Sequence, residues 1–288
     1  MTRVRLGRVD YLNCLPVYYP LETGQVKADV ELVKGVPSRL NKLFLDGGLD
    51  ITSGSSIEYA RHPGEMILLP LSVSSDGRVG SIFLFSRVPV TELDGKKVCL
   101  PDTSATSVVL LKILFQHYYH VEASFETKPD NLDSMLSEAD AALIIGDNAI
   151  IARQRVLAQR LPLYVADLGE VWKEFTGERM VYATWMVRRK FAEERPEETQ
   201  AVCQALLEAR DLGLQQTETL LDVAHRRTGI DRTVLEDYFC LIRHDFDRDY
   251  QRGLLLFYDY AYKSGLIDER VKLEIWGEQF ARCGWYFG

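Results

Sequence analysis

Asn13 is the polar residue best placed for chemistry. It stands in Asp10–Pro16, DYLNCLP, directly after the alternating run Val4-Arg5-Leu6-Gly7-Arg8-Val9, which reads as a strand. Ligands of open α/β sheets bind beyond the carboxyl ends of strands, and an amide placed there both donates and accepts. Pro16 can open a helix at its first position. Three further strand-to-helix junctions carry small polar residues: Ser53-Gly54-Ser55-Ser56, Asp102-Thr103-Ser104-Ala105-Thr106-Ser107, and Gly146-Asp147-Asn148. Helix N-termini offer unpaired N–H groups and a positive dipole end, so such junctions suit carboxylate or phosphate. The candidate binding residues are Ser55, Ser56, Ser104, Thr106, Ser107, Gly146 and Asp147. Helix capping alone explains any one of these junctions. As a set they come from both halves of the chain, and the two serine-rich ones exceed what a cap requires. That pattern fits a ligand with two separated anionic groups.

Other residue types narrow the chemistry. Asp76-Gly77 in the loop 74–81 reads as a plain turn. Ser81 begins the next strand, which puts its hydroxyl at the floor of a cleft between the two halves. Cys14 adjoins Asn13 but has no activating histidine near it in sequence, so it reads as a buried, inert thiol. The five histidines, His62, His117, His120, His225 and His244, fall on helices or loops away from the junctions. No GxGxxG, P-loop, Ser-His-Asp order or Cys/His cluster is present, so neither cofactor nor metal is expected. An enzyme built on these motifs lacks an obvious strong base.

The elements that must position these residues alternate. Strands are expected at 4–9, 29–34, 50–53, 67–73 and 80–87, with helices from Pro16, Pro37 and Ile57 between them. A second series follows the turn-rich stretch 88–95: strands at 97–100, 121–126 and 141–145, with helices at 104–119 and 131–138. MVYATWMV at 180–187 is one more strand. The remainder reads as helices opening near Pro196, Thr217, Asp231 and Asp249, the third burying Leu235, Tyr238, Phe239 and Ile242. The alternation predicts an α/β fold with mostly parallel sheets. It divides into one lobe of residues 1–87 plus 188–288 and an inserted lobe of 88–187. GSIFLFSR and MVYATWMV are expected as the crossings, with a ligand cleft at the hinge.

Composition sets the outer limits. The 288 residues are 47% hydrophobic, enough for two lobes with a full core. A net charge of -8 argues against a nucleic-acid partner, which needs a basic face. The small clusters Arg188-Arg189-Lys190 and Arg226-Arg227 read as solvated helix ends. Five cysteines without a CxxC pair suit reduced thiols. No apolar stretch fits a signal peptide or a membrane span, so a cytoplasmic location is expected.

Taken together, DYLNCLP, GVPSRLN, GSSIEYA, SSDGRVGSIFLFSR, the Ser104–Ser107 junction, LIIGDNAI and DLGEVWKEFTG resemble the chorismate dehydratase family of menaquinone biosynthesis. The resemblance implies a two-lobed type II periplasmic-binding-protein-like fold, with a helical C-terminal segment, used as a cytoplasmic enzyme. It implies loss of water from chorismate, giving 3-[(1-carboxyvinyl)oxy]benzoate. It also implies catalytic roles for Asn13 and Ser81, Ser86 being a second serine on the same strand. The competing readings are 1,4-dihydroxy-6-naphthoate synthase of the same pathway, which is expected to use a histidine, a non-catalytic solute-binding protein, and a ligand-sensing regulatory domain.

Overall fold

The computed structural model describes residues 3–278. The chain opens with β1 (Val4–Val9), α1 (Leu15–Glu22), β2 (Val30–Gly35), α2 (Pro37–Leu45), β3 (Ile51–Ser55), α3 (Ser56–Arg61) and β4 (Met66–Ser75). It continues through β5 (Ile82–Ser86), β6 (Lys97–Pro101), α4 (Ala105–Leu114), β7 (Ser124–Lys128), α5 (Leu132–Leu136), β8 (Ala141–Ile145), α6 (Gly146–Ala158), β9 (Tyr164–Asp167) and α7 (Leu168–Thr176). It ends with β10 (Met180–Arg188) and five helices, α8 (Arg189–Glu194), α9 (Pro196–Leu214), α10 (Thr217–Thr228), α11 (Arg232–Leu241) and α12 (Arg248–Lys263).

Two five-stranded sheets result, ordered β2-β1-β3-β10-β4 and β7-β6-β8-β5-β9. The two orders are the same pattern used twice. In the first sheet β1 runs parallel to β2 and β3, and β10 is inserted antiparallel between β3 and β4. In the second, β6 runs parallel to β7 and β8, and β5 is inserted antiparallel between β8 and β9.

The inserted strands divide the chain differently from the sequence expectation. Residues 82–86 belong wholly to the second sheet and 180–188 to the first, so the chain passes between sheets at 76–81 and again after α7. Burial gives the reason. Ile82 and Leu84 face the main core, while Phe83 and Phe85 face a second core with Cys99, Met135 and Ile144. A strand apolar on both faces needs neighbours on both edges and cover on both sides, which a free-standing crossing cannot supply.

Helices α9 to α12 close around the first sheet. Gly213 lets α9 touch α1, because a Cβ there would lie 1.9 Å from the Pro16 carbonyl oxygen. The segment after α11 pairs with β4: Ser74 and Arg243 exchange backbone hydrogen bonds of 3.0 and 2.9 Å, and Ser72 N–H donates to the His244 carbonyl at 3.2 Å. Cys14, Cys99, Cys203 and Cys240 are free thiols; Cys283 lies outside the described residues. Among the described residues, no helix is long and apolar enough to cross a membrane.

Candidate active site

The carboxyl ends of β1, β3 and β8 and the start of β5 meet around a cavity of about 70 Å³. Asn13, Ser55, Ser81, Ser104, Ser107 and Gly146 line it, joined by Tyr11, Ser53 and Tyr182. Both halves of the molecule contribute. Among the described residues, no charged side chain lines the cavity.

Asn13 sits on a single 3-10 turn, Leu12–Cys14, between β1 and α1. Its backbone is held from two sides. The neighbouring Leu12 N–H donates to Asp147 Oδ1 at 3.1 Å, and His244 Nε2–H donates to the Asn13 carbonyl at 2.7 Å. Of the Asn13 side chain, the oxygen Oδ1 is buried and has no hydrogen-bond partner in the protein. Buried Arg8 is paired with Asp10 and Glu22.

Ser81 is fixed through its backbone. Its carbonyl accepts the Gly146 N–H at 2.7 Å. Just upstream, the Asp167 carboxylate takes the N–H groups of Val79 and Gly80, the latter at 2.8 Å, while also capping α7 through Gly169 and Glu170. One carboxylate thus ties the first crossing to the start of α7. Gly146, the first residue of α6, has φ 60°, and a Cβ there would press the Tyr11 ring at 3.1 Å. Glycine alone takes that conformation and contact without strain.

The two serine-rich junctions are spent differently. Ser55 precedes α3 without making a side-chain cap, so its hydroxyl remains available to the cavity. Ser104 caps α4, accepting from Ser107 N–H at 3.4 Å and donating to the Ser107 hydroxyl at 3.0 Å. Ser56, Thr106 and Asp147 do not line the cavity. The Ser56 hydroxyl donates to the Val181 carbonyl at 2.8 Å and lies 3.3 Å from Thr106 Oγ1, which accepts the Ile57 N–H. These two join the halves rather than face the cleft. Burial raises the Asp147 carboxyl to about 6, although the Leu12 N–H favours its charged form.

The thiol and the histidine divide as burial dictates. Burial pushes Cys14 up to about 12, which makes it a poor nucleophile. His244, expected to stand clear of the junctions, instead holds the Asn13 turn across 231 positions of sequence. Burial lowers it to about 4, so it is neutral at neutral pH. No histidine among the described residues lines the cavity. Sequence reasoning missed Tyr11, Tyr182, Asp167 and His244. Only Asp167 carried a local signal, as an N-cap residue ahead of an amphipathic helix.

Two lobes of one repeated strand order, joined by two crossings around a neutral cavity, define the periplasmic-binding-protein-like fold, with a helical C-terminal segment. The alkanesulfonate-binding protein of Xanthomonas axonopodis pv. citri shares it, with a TM-score of 0.67 at 14% identity, covering 95% of this chain and 97% of that one. The chain belongs to the menaquinone biosynthesis family, whose model matches residues 4–263. It is 33% identical to a chorismate dehydratase of Thermus thermophilus, over 88% of this chain and 93% of that protein. It is 27% identical to a chorismate dehydratase of Campylobacter jejuni, over 81% and 94%. A 1,4-dihydroxy-6-naphthoate synthase of Thermus thermophilus is 28% identical over 67% and 69%.

Proposed function

We propose that the protein is a chorismate dehydratase, a lyase that removes water from chorismate to give 3-[(1-carboxyvinyl)oxy]benzoate. The observation that carries this reading is a cavity lined from both halves by amide, hydroxyl and backbone donors, with no titratable carboxylate or imidazole among its lining residues. Such a lining suits a dicarboxylate that brings its own base. In this reading the enolpyruvyl carboxylate of the substrate takes the proton from the ring carbon bearing the enol ether. That electron pair forms the new ring double bond as the neighbouring hydroxyl leaves, and the two fragments depart as water. Aromatisation drives the step, so the protein supplies position rather than basicity. Asn13 and Ser81 orient the carboxylate and the leaving hydroxyl. Ser55, Ser104, Ser107 and the start of α6 hold the anionic ends and stabilise charge that spreads into the ring. As a biosynthetic enzyme it would work in the cytoplasm.

The naphthoate synthase reading expects a histidine at the substrate, and none among the described residues lines the cavity. The matching synthase also aligns over less of the chain than either dehydratase. The test is incubation with chorismate, followed by ultraviolet spectroscopy and mass spectrometry. A product lighter by one water is expected. Chorismate bound but unchanged would leave a solute-binding protein in its place.

A further inference from the structure

Asp147 does not line the cavity, yet its carboxylate reaches across to the other half of the molecule beside Asn13. It stands on the first turn of α6. Its Oδ1 accepts the N–H of Leu12, 135 positions away, at 3.1 Å. Leu12 opens the single 3-10 turn that carries Asn13, and that turn has no side-chain cap of its own. The leading N–H groups of a helical turn find no partner within it, so the second half supplies what the turn lacks. The preceding residue does the same on the far side of the cavity: the Gly146 N–H donates to the Ser81 carbonyl at 2.7 Å. Two adjacent residues at the start of α6 thus hold the chain at both Leu12 and Ser81. An acidic residue in a first helical turn also favours the helix through its dipole, but that effect needs no bond to Leu12.

We propose that Asp147 is a positioning residue for the reaction above: by holding the Leu12 N–H from the second half, it fixes where the Asn13 turn stands relative to Ser81. The inference rests on the dehydratase reading and deepens it. Asp147 acts through Leu12, and it acts as an acceptor. An amide oxygen in the same place therefore serves, whereas a charge set further out does not. His244 holds the same turn through the Asn13 carbonyl, from the first half's own side. The bond from Asp147 spans the two halves, so the placing of Asn13 depends on their apposition.

The test compares Asp147→Ala, Asp147→Asn and Asp147→Glu with the wild type on chorismate. Asp147→Ala is expected to lower kcat about tenfold, the scale of a small misplacement of a reacting group, with KM changed less than about twofold. Asp147→Asn keeps an acceptor oxygen in place and stays within about twofold of the wild type. Asp147→Glu keeps the charge but carries its oxygens one methylene further, and falls below Asp147→Asn. A helix-end charge alone would rank Asp147→Glu above Asp147→Asn. That ranking, or wild-type kcat in Asp147→Ala, overturns the positioning role and leaves the dehydratase reading standing. If Asp147→Ala fails to fold, the ranking of the other two still decides. Amide hydrogen exchange over residues 11–14, followed by mass spectrometry, is independent of turnover. Exchange is expected to be faster in Asp147→Ala than in Asp147→Asn, and equal exchange overturns the role of the bond. A wild type that makes no dehydrated product overturns both readings.

Discussion

The two halves of the molecule share one strand order but equip their strand ends differently. In the first half, Ser55 makes no cap to α3, and Asn13 keeps its side-chain oxygen unpaired. In the second, Ser104 and Ser107 are bonded to each other at the start of α4, and the first residue of α6 is a glycine with no side chain to offer. The first half therefore supplies free side-chain groups, and the second supplies pre-set backbone and capped hydroxyls. A repeated scaffold can thus become asymmetric where it meets a ligand. In the proposed reaction the half with the uncommitted groups would handle the reacting atoms, and the other half would hold an anionic end in place.

Removing Asn13 should break this contrast most severely. Asn13→Ala is expected to lower kcat by on the order of 100-fold, the scale of losing one preorganised donor, with folding retained. Steady-state kinetics checks it, and near-normal turnover would show that the two halves are functionally alike.

Acid should separate the halves next. His244, docked against the first sheet, is lowered to about 4 by burial, below its ordinary 6.5. The unfolded chain then takes up a proton between these values while the folded chain does not. Stability is lost as pH falls from about 6.5 to about 4, by up to about 3 kcal/mol from this group. In the second half, burial raises Asp130 and Asp147 to about 6. Their contribution has the opposite sign: it is present at low pH and lost as pH rises through about 6. Denaturant titrations of wild type and His244→Gln across pH 4–7 should show the variant gaining relative stability toward acid. Parallel curves would mean that His244 does not titrate as buried.

The smallest effects should come from two adjacent serines. Ser56→Ala loses the bond to Val181 and should cost about 1 kcal/mol of stability with kcat intact. Ser55→Ala should leave stability unchanged and raise KM a few-fold. Thermal melts paired with kinetics distinguish them, and equal behaviour of the two variants would sink the division between cavity-facing and half-joining hydroxyls.

Much of the architecture was legible in the chain. Alternation and β-branched runs marked β1, β4, β6, β8 and β10, since their burial patterns are local. β9 escaped because Tyr164 and Val165 are exposed and the strand is only 4 residues long. The junctions marked the cavity, but adjacent residues on one turn point different ways, so Ser55 and Ser56 could not be told apart. His244 and the Asp167 bonds to Val79 and Gly80 act over long sequence separations, which no local pattern records.

The neutral lining of the cavity has a consequence for how a substrate arrives. The chain carries a net charge of -8 and no basic funnel leads inward through the residues that line the cavity. A dianion would therefore approach against a long-range repulsion, which dissolved ions screen over about 8 Å at physiological ionic strength. The hydrogen bonds that hold it once inside are short-ranged and shielded from those ions. Added salt should quicken capture in this cleft, the reverse of proteins that draw anions in with lysine and arginine.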